Sequence, residues 1–218
     1  MMEETILDEH LRRSGSDLAE DRAYWSDYRH RVDDAGALFT PGPEDADVPE
    51  AQASLDPVIA RRLLQICRGK AESIYLYLSA VFAILAGRYF DRSAVVIGVI
   101  GSGERHPGVL PLVCPVGVEA SFRDYLVTLR HQLDEHRRHA LPIFLQGSLP
   151  VTQAALLYSP LHGQAVPWQT GADLELIAGS LEEPMSLTIR ARTAHPFPPA
   201  AFLAHFVHLL DQIGRAHV

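Results

Sequence analysis

Histidine and cysteine are the side chains of this chain whose types could do acid–base or covalent chemistry, and their settings narrow what that would be. His106 stands in the run Gly103-Glu104-Arg105-His106-Pro107, inside a Gly/Ser/Pro-rich stretch at residues 101–108 that follows a β-branched segment. An imidazole on such a loop can act as a general base near neutral pH, and the plainer reading is an exposed loop residue. Cys114 could be a nucleophile if a neighbouring cation lowered its pKa. No cation flanks it in sequence, so a core thiol is the plainer reading there. His131, His136 and His139 close a helical pattern, with His136 and His139 on one face. That pair could hold a metal or supply a base, but beside Arg137 and Arg138 the three read as a solvated helix end favoured by the macrodipole.

Other signatures fail. Gly98, Gly101 and Gly103 give a Gly-x-x-Gly-x-Gly look after a strand, but a dinucleotide site needs a helix directly behind it. Pro107, Gly108 and Pro111 forbid that helix. A nucleophile elbow of the Gly-x-Ser-x-Gly type is missing as well, since position 100 is Ile. Neither a phosphate loop, a paired-carboxylate signature nor a metal pattern is present. Cys67 and Cys114 have no metal-ligand spacing and read as free buried thiols in a reducing compartment.

The elements that must position these residues are legible from periodicity. Ser16-Asp17 caps a helix over residues 18–30, with Ala23, Tyr24 and Trp25 on its sticky face, and the Asp/Gly/Pro-rich residues 33–49 read as a linker. Residues 50–55 alternate as a short strand. Asp56-Pro57 opens a helix that Gly69 closes near Arg68, and residues 73–89 form a helix apolar almost all round, hence central. Strands follow at 93–101 and 112–119. Ser121, with Asp124 three residues on, opens a helix whose apolar face is Phe122, Tyr125, Leu126, Leu129 and Leu133. Later strands are expected at 153–158, 173–178 and 186–193, and a last helix after Pro198-Pro199 carries Phe202, Phe206, Leu209, Leu210 and Ile213. The fold class is mixed α/β, with helices packed on one mixed sheet.

Bulk properties bound the function. The 218 residues suffice for a real core, and 47% hydrophobic content is ordinary for a soluble globular protein. Nineteen basic against 27 acidic residues give a net charge of −8, without a basic stripe, which argues against nucleic acid or an anionic membrane as partner. Residues 1–13 are polar and offer no signal peptide, and the apolar run 74–86 is shorter than the ~20 residues a membrane span needs. These features lead to the expectation of a cytoplasmic protein. Its expected organisation is a flexible N-terminus at 1–15, a leading helix and linker at 16–49, and one main lobe at 50–218.

Several local words, in order, resemble the C-terminal lobe of a nonribosomal peptide synthetase condensation domain, of the chloramphenicol acetyltransferase-like fold. Asp21-Arg22-Ala23-Tyr24-Trp25 is similar to the Tyr-Trp segment leading out of the N-terminal lobe, and Gly87-Arg88-Tyr89 to the end of a core helix. Val95-Val96-Ile97-Gly98 resembles the family's "(I/V)VIG" strand, and Gly103-Glu104-Arg105-His106-Pro107 its Gly-Arg-x-x-Pro loop. Ser121-Phe122-Arg123-Asp124-Tyr125-Leu126 is similar to "SFRELL", Leu141-Pro142-Ile143 to "LPF", and His205-Phe206 with Leu209-Leu210 to the closing helix. The likeness runs over residues 21–213.

The departures are informative. The family's catalytic His-His-x-x-x-Asp-Gly motif is absent from the chain; the resemblance implies that it belongs to an N-terminal lobe that would precede Met1. The loop arginine is replaced by Glu104, and the family's "FVNTLPLR" strand reads Leu112-Val113-Cys114-Pro115-Val116-Gly117-Val118-Glu119, with Cys114 at the channel-facing Asn. The resemblance thus implies a truncated lobe, inactive alone, with Ser102, Gly103, Glu104 and Cys114 along a substrate channel and no metal. It would bind no cofactor directly; phosphopantetheine would arrive on a partner carrier protein. Its partners would be that carrier protein, a tailoring enzyme or an N-terminal lobe. Two rivals stand beside this reading: a small free-standing acyltransferase using His106 or Cys114, and a scaffold that forms a homodimer through the apolar face an absent lobe would cover.

Overall fold

The computed structural model describes residues 15–40, 48–100, 109–117, 121–139, 153–162, 172–181, 184–192 and 197–216. Among them six strands form one sheet: β1 (Glu50–Ser54), β2 (Ala94–Ile100), β3 (Val109–Pro115), β4 (Ala154–Tyr158), β5 (Leu174–Ala178) and β6 (Ser186–Ala191), in the spatial order β1-β6-β5-β4-β2-β3. β2, β4 and β5 are parallel neighbours, while β3, β6 and β1 pair antiparallel, so the sheet is mixed. The helices are α1 (Gly15–Ala35), α2 (Pro57–Ile66), α3 (Ala71–Tyr89), α4 (Phe122–Arg138), the single-turn α5 (Ser159–His162) and α6 (Pro199–Arg215). The expected fold class is the observed one.

Local signals explain where the elements begin and end. The Asp56 carboxylate accepts from the Val58 N–H at 2.7 Å, with Pro57 in the first helical position. Gly69, at φ 66°, takes the left-handed turn that ends α2, and its N–H bonds the Leu64 carbonyl at 2.9 Å. Ser121 accepts from the Asp124 N–H at 3.1 Å to start α4.

α3 is the centre of the lobe. Thirteen of its residues, from Ile74 to Gly87, are buried, as its nearly all-round apolarity requires. By length and composition it could cross a membrane, but most of it is covered by the protein's own elements, as in a core helix. It packs on β2, β3 and β4 of the sheet, and against α6 through Phe82 and Phe202, whose rings meet edge to face at 6.0 Å.

Near its C-terminal end α3 passes Val116 so closely that a Cβ on Gly87 would lie 2.5 and 2.9 Å from the two γ-methyls. Alanine there gains about 1 kcal/mol of helix propensity, but the overlap costs about 1–3 kcal/mol. Gly87→Ala is therefore expected to lower stability by about 0–2 kcal/mol on the balance of the two terms. The same change in a Val116→Ala background should raise it, a sign reversal that chemical denaturation of the four variants reads directly.

Two expectations need correction. First, β3 spans Val109–Pro115 rather than residues 112–119, and so contains Pro111 and Pro115. It can do so because β3 is an edge strand. Val113 turns both its N–H and its C=O away from β2, and by the period of two so do Pro111 and Pro115, where the missing N–H breaks no ladder bond. Second, residues 33–49 are not all linker. α1 runs on to Ala35, and Leu38 and Phe39 are buried. The Gln153 side chain holds them as a strand would, accepting from both backbone N–H groups and donating to the Phe39 carbonyl at 2.8 Å.

α4 departs from its expected face in an instructive way. Its buried residues are Tyr125, Leu129, Gln132 and His136; Phe122, Leu126 and Leu133 are only partly covered. Gln132 and His136 go inside because they seal the open edge of β3. Val113 N–H donates to the Tyr28 hydroxyl at 2.8 Å, Tyr28 donates to Gln132 Oε1 at 2.9 Å, and Gln132 Nε2 donates to the Val113 carbonyl at 3.0 Å. His136 Nε2 donates to the Pro111 carbonyl at 3.0 Å, which leaves Nδ1 to accept from the Tyr24 hydroxyl at 2.7 Å. At Pro111 and Val113 the outward backbone groups are thus all taken, and the edge has nothing there to offer an incoming strand.

Candidate functional site at the carboxyl ends of the parallel strands

The three parallel strands end level with one another, since Gly98 aligns with Ala155 and Tyr158 with Ala178. From β2 the chain goes to β3 on one side; from β4 it goes to β5 on the other. Strand order therefore reverses between β2 and β4. In open α/β sheets the crevice outside the carboxyl ends at such a reversal is where ligands lodge.

Ser102, Gly103, Glu104 and His106 belong to residues 101–108, which join β2 to β3 and lie outside the described residues. On the β4 side the crevice is flanked by α5, which ends in His162. Sequence reading passed over this histidine. The signal was available, a histidine four residues past the end of a buried strand, but the turn after β4 had not been read.

His162 is half-buried and its tautomer is set. The Tyr158 backbone N–H donates to Nδ1 at 2.9 Å, so the ring proton sits on Nε2. The Tyr75 ring meets the imidazole edge to face at 5.0 Å. Burial lowers the His162 pKa, and a second proton would also have to displace the Tyr158 N–H from Nδ1. The sign is that of a group kept neutral by folding: stability is lost as pH falls through the ordinary histidine range. Ser159 donates to the Ala178 carbonyl at 3.3 Å and ties α5 to the end of β5. Chemically, His162 offers a donor. It can orient or polarise an oxygen acceptor, but its one lone pair is already occupied, so it is not placed to abstract a proton.

Cys114 is wholly enclosed, its thiol donating to the Leu112 carbonyl at 3.6 Å beside the Tyr125 side chain. Burial pushes its pKa up to about 12, so at neutral pH it is a thiol and no thiolate. Cys67 is likewise free and buried, its pKa raised to about 12 for the same reason.

The three histidines of α4 fare differently from one another. His131 is exposed at the surface, as a solvated helix end predicts. His136 is instead 1% exposed, stacked on Trp25 at 4.9 Å and met edge to face by Tyr28 at 4.5 Å. His139 is stacked on Tyr24 at 4.3 Å, with Nδ1 at 3.1 Å from the buried Asp21 carboxylate. They serve the α1–α4 junction. Among the described residues no group of three or more His, Cys, Asp or Glu side chains converges as a metal site.

No family model and no curated protein matches the chain. Solved structures do. The condensation domain of the monacolin K polyketide synthase MokA superimposes with a TM-score of 0.68 at 18% identity, over 92% of this chain and 58% of that one. The first condensation domain of the calcium-dependent antibiotic synthetase, in complex with a substrate analogue, gives 0.66 at 17% identity, over 96% and 55%. The starter condensation domain of the rhizomide synthetase RzmA gives 0.59 at 15% identity, over 97% and 55%. The chain thus spans a little over half the length of the condensation-domain structures it matches. Its fold is that of about half of a condensation domain, consistent with the C-terminal lobe.

Proposed function

We propose that the chain acts as the C-terminal lobe of a condensation domain, forming one wall of an acyl-transfer site whose catalytic histidine comes from an N-terminal lobe. One observation carries this reading: nearly the whole chain superimposes on condensation domains, yet it accounts for only 55–58% of the three described above. The sequence agrees, since the His-His-x-x-x-Asp-Gly motif occurs nowhere in it. The enclosure and raised pKa of Cys114 remove the support for a thiol nucleophile.

In the assembled site, thioester arms carried by phosphopantetheine on carrier proteins would enter between the lobes. The partner lobe's imidazole would orient or deprotonate the attacking amine. The amide C–N bond forms, the thioester C–S bond breaks, and the carrier thiol leaves with a proton. Holding the two arms in register is the larger contribution, because it makes the step effectively unimolecular. The partners of this reading are a carrier protein and an N-terminal lobe, and its setting is the cytoplasm.

The test is reconstitution. The purified chain is expected to yield no peptide bond from acyl- and aminoacyl-carrier substrates. Mixed with a condensation-domain N-terminal lobe, it should bind that lobe by calorimetry and restore product detectable by mass spectrometry. Turnover by the chain alone would overturn the proposal.

A further inference from the structure

Beside the carboxyl ends of β2 and β4, His162 presents a donor held in a fixed orientation. Its Nδ1 is taken by the Tyr158 N–H, and its ring is held against Tyr75, which leaves Nε2–H directed by two fixed contacts. Among the described residues no hydrogen bond engages Nε2. The strands that end beside it bring apolar residues, among them Leu157, Ile177 and Ala178. An uncharged donor beside an aromatic ring and apolar strand ends suits an uncharged oxygen acceptor better than a phosphate, which favours cationic or multiple donors.

We propose that His162, fixed as the Nε2–H tautomer by Tyr158, donates a hydrogen bond to the carbonyl oxygen of an acyl thioester at the β2/β4 crevice. This rests on the reading that the lobe receives pantetheine-borne thioesters, and adds to it a residue that orients the acyl group. The bond polarises the carbonyl and fixes its face; no proton changes hands at His162. A fixed dipole of this kind acts without reorganisation as charge develops on the oxygen.

The experiment uses the full chain and two probes: S-acetyl-pantetheine, which has the carbonyl, and S-ethyl-pantetheine, a thioether of similar size which lacks it. Titrations are followed by NMR with ¹⁵N-labelled imidazoles. The wild-type chain should bind the acetyl thioester about tenfold more tightly than the thioether, the size of one net hydrogen bond. The His162 Nε2–H resonance should shift with the thioester only. His162→Phe keeps an aromatic ring beside Tyr75 and should bring the ratio to about one. His162→Gln, which can accept from Tyr158 and still donate, should restore most of it. A ratio of one in the wild type, or a tenfold ratio that survives His162→Phe, overturns the role of His162 and leaves the thioester-binding reading standing. Failure of both probes to bind the wild type withdraws that reading, and this inference with it.

Discussion

His136→Ala is expected to lower the free energy of unfolding by roughly 3–5 kcal/mol, measured by urea denaturation with matched m-values. The imidazole is 1% exposed and bridges the Tyr24 hydroxyl and the Pro111 carbonyl, so its loss strips a buried edge carbonyl of its donor. An unpaired buried group costs about 1–3 kcal/mol, and the cavity left against Trp25 adds about 2 kcal/mol or more. His136→Phe separates the contributions: it refills the volume but restores neither hydrogen bond, and should cost about 1–3 kcal/mol. His131→Ala, exposed on the same helix, should stay within about 0.5 kcal/mol. If all three variants proved as stable as the parent, His136 would be a solvated helix-end residue after all, and the sealed edge of β3 would be wrong.

Phe82→Ala should cost about 3–5 kcal/mol, and a folded domain has only about 5–15 kcal/mol in hand. Phe82 is fully enclosed in the middle of α3 and meets Phe202 of α6, also fully enclosed, at 6.0 Å. These rings join the central helix to the helix that covers β1 and β6. Phe202→Ala should cost a similar amount, and the double variant should fall short of the summed losses by about 0.5–1.5 kcal/mol, the coupling of an aromatic pair. Strict additivity in thermal and chemical denaturation would show that α3 and α6 are held together by other contacts.

Much of this architecture could be read from the chain. Helices α2, α3, α4 and α6 and strands β1, β2, β4, β5 and β6 lie within a few residues of where periodicity and caps put them. Asp56-Pro57 and Gly69 acted through the bond and the left-handed turn that their residue types favour. Each of these signals is local, because burial of one side of a helix or strand imprints a short period on the residues themselves. The absence of a catalytic motif was equally plain, and it still determines the functional reading.

The candidate site was less legible. Strand order cannot be read from one strand, so the reversal between β2 and β4 that marks the crevice, and with it His162, emerged only in the sheet. The same holds for Gln132 and His136. Their polarity put them at the surface of an isolated helix, but the assembled lobe places them against the open edge of β3, where unpaired backbone groups of Pro111 and Val113 await partners. Tyr24, 112 residues away from His136, completes that contact. By itself the sequence determined which segments are helix or strand, the acyl-transfer family it resembles and the catalytic signature it lacks. Tertiary structure alone decided which polar groups are buried, where strand order reverses and which tautomers His136 and His162 hold. A hydrophobic period is a property of neighbours in the chain, whereas a buried polar group is stable only where distant segments supply its hydrogen bonds.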